Sequence, residues 1–130
     1  MANDIVLFKK DWLSLKHSVA DLPMPFSHDI FLLECHVAGT THVDDVLVKT
    51  DEVWEGSELA LRRDAGNEAD ELAIAVITAA GDRIGWVPRK HNPILARLMD
   101  GGKLLVAKVT HKSLDDHWLN MRIAISMRDV

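Results

Sequence analysis

The residues best suited to chemistry in this 130-residue chain are cations gathered around one indole: Arg83, Trp86, Arg89, Lys90 and Arg97. Arginine and lysine meet phosphates, and an indole offers a flat face to a base; single-stranded nucleic-acid grooves are built from this combination. Arg62 and Arg63 join the group if their strand lies beside that hairpin. Just upstream, the Gly/Asn-rich stretch Ala65-Gly66-Asn67-Glu68-Ala69-Asp70 carries one amide and one carboxylate close together. Seven histidines invite a metal reading, with His111, Asp115 and His117 on one loop and Cys35 beside His36. None has the i,i+4 spacing or the paired-cysteine spacing that makes a zinc site credible, and Cys35 and His36 fall on opposite faces of a strand. Cys35 sits mid-strand among apolar residues, where a free thiol is a small hydrophobe rather than a nucleophile. No phosphate-cradling glycine loop and no dinucleotide fingerprint is present. The pattern points to binding without catalysis, with no cofactor and no metal.

Charge supports that direction through its distribution. The net charge is −5, yet Asp44 to Glu71 holds ten acidic residues against three basic ones, and Asp82 to Lys112 holds seven basic residues against two acidic ones. One face can be basic while the whole is acidic. Hydrophobic residues make up 48% and charged residues 27% of the chain, an ordinary balance for one globular domain. A single cysteine excludes an intramolecular disulfide framework. The first residues contain no long apolar run, so neither a signal peptide nor a membrane span is expected, and the reading is cytoplasmic.

The elements that must position these groups follow from periodicity. Ile5, Phe8, Trp12, Leu15 and Val19 mark an amphipathic N-terminal helix ended by Leu22-Pro23-Met24-Pro25, which makes residues 1–28 a helix and linker packed on a body formed by 29–130. Ile30 to Val37 reads as a strand with Phe31, Leu33, Cys35 and Val37 on one face. Thr41-x-x-Asp44 resembles a capping box before a helical turn through Val46 and Leu47, though that run fits a strand equally. Glu55-Gly56-Ser57 is a turn, Glu58 to Arg63 a strand with Leu59 and Leu61 inward, and Asp64 to Asn67 a turn. Leu72 to Ile77 and Arg83 to Val87 form a hairpin around Ala80-Gly81-Asp82. Asn92 as N-cap and Pro93 open a helix with Ile94, Leu95, Leu98 and Met99 as its buried stripe and Gly101 or Gly102 at its C-cap. Lys103 to Thr110 and Trp118 to Met127 are closing strands joined by a polar loop, Lys112 to His117. Five or six short, mostly antiparallel strands and two or three helices, one of them between the last hairpins, make a mainly β protein. The expected architecture is a small closed or half-open β-barrel, with a split α+β sandwich as the alternative.

The ordered run Leu59, Leu61, Arg63, Asp64, Asn67, Asp70, Ala73, Ile74, Val76, then Gly81, Ile84, Gly85, Trp86, Val87, Pro88, Arg89, then Ala96, Leu98, Asp100 and Gly102 resembles the HIRAN domain. Val37-Ala38-Gly39 matches that family's opening strand and glycine, and the similarity spans about residues 30 to 110. The resemblance implies a small OB-like or SH3-like barrel of the kind found inside Snf-type DNA translocases and as lone bacterial proteins. It implies recognition of single-stranded DNA at a free 3′ end. By position, Asp70 would meet the terminal hydroxyl, Asn67 the backbone, and Trp86 and Arg89 would lie near phosphates. Thr41 and His42 stand where the family has a basic and an aromatic residue. Arg63, Lys90 and Arg97 complete the expected phosphate contacts, and His42 and Trp86 the expected stacking. Where the family loop reads Asn-Pro-Tyr-Asp, this chain has Asn67-Glu68-Ala69-Asp70. The expected partner is a DNA strand end, with the acidic 44–71 face as the surface for a protein partner, in a monomer or weak homodimer.

Overall fold

The computed structural model describes residues 28–129, so the expected N-terminal helix lies outside the described residues. Six strands form one antiparallel sheet: β1 His28–His36, β2 Glu58–Arg63, β3 Ile74–Ile77, β4 Arg83–Trp86, β5 Leu104–Asp115 and β6 Trp118–Asp129, in the order β1-β6-β5-β2-β3-β4. The sheet curls until its two edges meet. Just past β1, Ala38 and Trp86 exchange both backbone hydrogen bonds, with Ala38 N donating to Trp86 O at 2.7 Å and Trp86 N donating to Ala38 O at 2.8 Å. This bridge closes an OB-like barrel, as full closure alone removes exposed sheet edges. Two glycines are required by the closure. A Cβ on Gly85 would lie 2.6 Å from Ala38 O and 2.5 Å from Val37 Cγ1, and one on Gly39 would lie 2.6 Å from the Trp86 ring. Gly39 also turns the chain with φ 73°.

The period-2 alternation fills the barrel as expected in most strands. Leu59 and Leu61 of β2, and Leu119, Met121, Ile123 and Ile125 of β6, are buried against Leu105, Ala107 and Val109 of β5. Strand β1 departs from strict alternation. A bulge between Phe31 and Leu33 shifts the register by one residue, so Leu33, Cys35 and Val37 point inward while Phe31, expected on that face, is 63% exposed. An extra residue inverts every side chain beyond it. Strand β3 is shorter than the expected Leu72 to Ile77 and is buried on both faces. The run Lys112 to His117, expected as a loop, continues the β5–β6 ladder to Asp115, leaving Asp116 and His117 as the turn, with Asp116 at φ 59°. Polar side chains do not end a strand whose backbone groups stay paired.

The helical elements among the described residues are α1 Val46–Lys49, α2 Asn92–Asp100 and two 3-10 turns, Thr40–His42 and Arg89–His91. The turn at Val46 is helical, but no side chain caps it; Asp45 enters it at φ 56°. Helix α2 sits between β4 and β5, as expected, and ends with Gly102 at φ 97° while Lys103 N donates to Leu98 O at 2.9 Å. Leu95, Leu98 and Met99 of the expected stripe pack on the core and Ala96 joins them, while Ile94, expected with them, is 71% exposed. Asn92 does not cap the helix: its side chain is turned to Asp70, to which Nδ2 donates, and its Oδ1 meets no helix N–H. No helix among the described residues is long and apolar enough to cross a membrane.

Candidate functional site

The barrel closure and the start of α2 bring together a shallow cleft of about 180 Å³. Its walls come from four separate stretches: Ala38 and Gly39 after β1, the loop Asn67 to Asp70, Trp86 at the end of β4, and Arg89 with Asn92 at the start of α2. Most of its surface is apolar. Its polar groups converge on Asp70.

The loop is held by its own side chains. Asn67 Oδ1 accepts from the Ala69 N–H at 2.8 Å and from the Asp70 N–H at 3.1 Å, while its Nδ2 donates to Asp64 Oδ2 at 3.2 Å. This is Asx-turn chemistry, and it commits the Asn67 carbonyl oxygen and one of its two N–H donors to the loop. Arg63 is committed too. Its Nη2 donates to Glu71 O at 3.1 Å and its Nη1 to Ala73 O at 3.4 Å, while its Nε lies 3.2 Å from Asp100 Oδ1. It therefore ties the exit of the loop to the end of α2 instead of facing the cleft as a free cation.

Asp70 is positioned by three groups. Its Oδ1 accepts from the Leu72 N–H at 2.9 Å, its Oδ2 accepts from Asn92 Nδ2 at 2.8 Å, and Arg89 Nε stands 3.7 Å from Oδ2. The Asn92 amide, then the Leu72 N–H, then the Arg89 and Arg63 charges hold its carboxyl below the ordinary carboxylate value. Each carboxylate oxygen accepts more than one hydrogen bond, so Asp70 retains acceptor capacity toward the cleft. Arg89 also donates from Nη2 to Ala69 O and is otherwise exposed.

Trp86 is half-buried and faces the outside of the barrel, opposite Ala75. Its Nε1 donates to Asp64 Oδ2 at 3.1 Å, and Arg83 Cζ lies 4.9 Å from its ring centroid. Gly39 packs against its benzo edge. The indole is thus a fixed wall with one face already occupied by a cation. The Trp86 and Asn67 hydrogen bonds hold the Asp64 carboxyl below its ordinary value.

Of the residues singled out from the sequence, Asn67, Asp70, Trp86 and Arg89 share the cleft. Thr41, His42, Lys90 and Arg97 are exposed and lie outside its lining, with Lys90 next to Arg89 on the 3-10 turn and Arg97 on the last turn of α2. Sequence reasoning missed Asn92 as a lining residue of the cleft and Asp64 as the acceptor that holds Asn67 and Trp86 from behind it. The sequence signal for Asn92 was read as a helix cap, since both roles use the same residue type at the same place. Among the described residues no three His, Cys, Asp or Glu groups gather to hold a metal ion. His111 instead faces Glu55, with Nδ1 3.8 Å from its carboxylate, and Cys35 is buried with its thiol pushed up to about 11 by that burial.

The HIRAN domain matches residues 30–128 of the chain. Among solved structures, a protein from Lactobacillus plantarum, structural genomics target LpR91B, is similar at 26% identity and a TM-score of 0.74, over 80% of this chain and 99% of that one. The HIRAN domain of human HLTF is similar at 22% identity and a TM-score of 0.62, over 78% of this chain and 79% of that one, a likeness of fold. No curated protein matches the chain.

Proposed function

We propose that this chain, which belongs to the HIRAN domain family, is a non-catalytic nucleic-acid-binding module that receives the 3′ end of a single strand in the cleft at Asp70. The observation that carries this reading is an ionised carboxylate, fixed by two hydrogen bonds and backed by Arg89, facing a mostly apolar cleft. Such a group accepts a hydrogen bond from a terminal hydroxyl and repels a terminal phosphate. A hydrogen bond to a charged group is worth about 1.5–3 kcal/mol, so the hydroxyl end should be favoured by about 10- to 100-fold. Arg89 and the neighbouring Lys90 meet the phosphates that follow, with Arg97 further along α2.

Stacking contributes less here than cations do. Ala69 stands where the family loop has tyrosine, and Arg83 already covers one face of Trp86. Each missing base–aromatic stack removes about 1–3 kcal/mol, which leaves binding weak and salt-sensitive. With two or three phosphates engaged, the logarithm of affinity should fall with the logarithm of salt at a slope of about −1.4 to −2.1.

The test is a titration of labelled single strands ending in a 3′-hydroxyl or a 3′-phosphate, at two salt concentrations. Salt-sensitive binding that prefers the hydroxyl, with the preference abolished by Asp70→Asn, is the expected result. Binding that ignores the end would reduce the proposal to a generic basic groove. Absence of binding at low salt would remove it.

A second reading has its own observation. The acidic 44–71 segment leaves Leu47 41%, Trp54 61% and Val48 76% exposed, which suits a protein-partner surface. Trp54→Ala should leave strand binding unchanged if the two surfaces are separate; a parallel loss of strand binding would merge them into one.

A further inference from the structure

Asn92 is in the wrong place to be an ordinary helix cap. Its residue surface is 3% exposed, and its amide nitrogen is spent on Asp70 Oδ2 at 2.8 Å across 22 residues of sequence. Its Oδ1 is buried without a hydrogen-bond partner among the described residues. A fold leaves a polar atom unpaired in its interior only at a cost, and such atoms call for an explanation. The helix gains nothing from it, since no side chain caps α2.

The gain is at Asp70. Without Asn92, the natural partner for Oδ2 is Arg89, whose Nε is 3.7 Å away and whose side chain is 71% exposed. A guanidinium beside a carboxylate tends to close into a two-pronged pair, which would use up both the acceptor and the cation. With Leu72 N–H on Oδ1 and Asn92 Nδ2 on Oδ2, the hydrogen bonds to the carboxylate come from neutral donors; Arg89 stays 3.7 Å away, donates from Nη2 to Ala69 O and keeps its remaining N–H groups toward solvent.

We propose that Asn92 is a positioning residue for end recognition: it holds Asp70 as a free-facing acceptor for an uncharged hydroxyl and keeps Arg89 available to the adjoining phosphate. This rests on the end-recognition reading above and adds to it the residue that sets the selectivity. The charges that act on Asp70 are Arg89 from the 3-10 turn and Arg63 from β2, while Asp64 on the loop is turned to the Trp86 indole.

The experiment uses the full chain and an oligothymidylate, whose base does not protonate in the acid range, with a 3′-hydroxyl or a 3′-phosphate. Asn92→Ala should reduce the hydroxyl preference by about tenfold. It should also make the salt slope shallower by about 0.7, because Arg89 closes on Asp70 and one phosphate of the strand is no longer neutralised. Asn92→Asp puts two carboxylates within hydrogen-bond reach, so the pair will share a proton as the pH falls. Binding of the hydroxyl strand should therefore be weaker than wild type near neutral pH, where the two carboxylates repel each other, and recover on acidification, a pH profile that the alanine variant would not show. Variants that fold and keep the wild-type preference and slope would overturn the proposal. Isotope-labelled wild-type protein gives an independent reading: the Asn92 side-chain amide signals should move on adding the hydroxyl strand and not the phosphate strand. Signals that ignore the hydroxyl strand while it binds would overturn it as well. A wild-type protein that shows no end preference would instead bring down the reading on which this inference rests.

Discussion

Replacing Gly85 by alanine tests the closure that builds the cleft. The new Cβ would sit 2.5 Å from Val37 Cγ1 and 2.6 Å from Ala38 O, and neither distance is tolerable for carbon. One of the two neighbours is backbone, and it is the same oxygen that accepts from Trp86 N at 2.8 Å. Relief must therefore come from parting the two edges of the sheet. Overpacking of this kind costs about 1–3 kcal/mol. Weakening the two bridge hydrogen bonds adds about 0.5–1.5 kcal/mol each. The reduced freedom of the unfolded chain returns about 0.4–1 kcal/mol. The middle of these ranges gives a net loss of about 3 kcal/mol, which for a domain of this size lowers the melting temperature by about 10 °C. Urea unfolding and thermal melting of the variant beside Gly66→Ala make the measurement. Gly66 has no atom within 4 Å of its would-be Cβ, so its change should stay within about 0.5 kcal/mol. If Gly85→Ala melts with the wild type, the closure is not tight, and the cleft walls at Ala38 and Gly39 are not held as described.

Further outcomes follow from the same geometry. Gly39→Ala meets the Trp86 ring at 2.6 Å and must adopt φ 73°, so it should cost about 2–4 kcal/mol by unfolding and weaken strand binding together with it. Asp64 and Asp70 have folded pKa values below their ordinary ones, so the stability they add is present above that ordinary value and is lost as the pH falls through the lowered ones. Asp64→Asn should accordingly flatten the fall of stability on acidification, measured by urea unfolding across the acid range; an unchanged slope would contradict the Trp86–Asp64 hydrogen bond. Cys35, with its thiol at about 11, should have about a thousandth of its population as thiolate near pH 8 and react with a thiol reagent only on unfolding. Prompt modification of the native protein would contradict its burial.

Elements set by near neighbours were legible in the sequence. The alternation of Leu59 with Leu61, and of Leu119 through Ile125, identified buried strand faces because a strand repeats every two residues wherever it lies. Gly56, Gly81 and Gly102 marked reversals because their backbone angles, φ 94°, 96° and 97°, are ones that other residues avoid. The ordered run from Leu59 to Gly102 also named the family. What the sequence did not determine depends on groups far apart in the chain. The bulge that turns Phe31 outward is set by pairing with β6, nearly a hundred residues away, and no local pattern records a one-residue register shift. The exposure of Ile94, at the margin of a stripe whose Leu95, Leu98 and Met99 do pack on the core, is decided by how α2 lies on the sheet. Of the expected site residues, Asn67, Asp70, Trp86 and Arg89 do share a cleft, but the contacts of the expected residues are set by neighbours that spacing cannot specify: Arg63 is held by Glu71, Ala73 and Asp100, and Trp86 by Asp64 and Arg83. Asn92 is the clearest instance. Beside Pro93 it reads as a helix cap, and only the closed barrel brings the Asp70 carboxylate within 2.8 Å of its amide. A hydrogen bond to a charged acceptor outweighs one to a neutral helix amide, so tertiary structure, and not local preference, assigned that side chain.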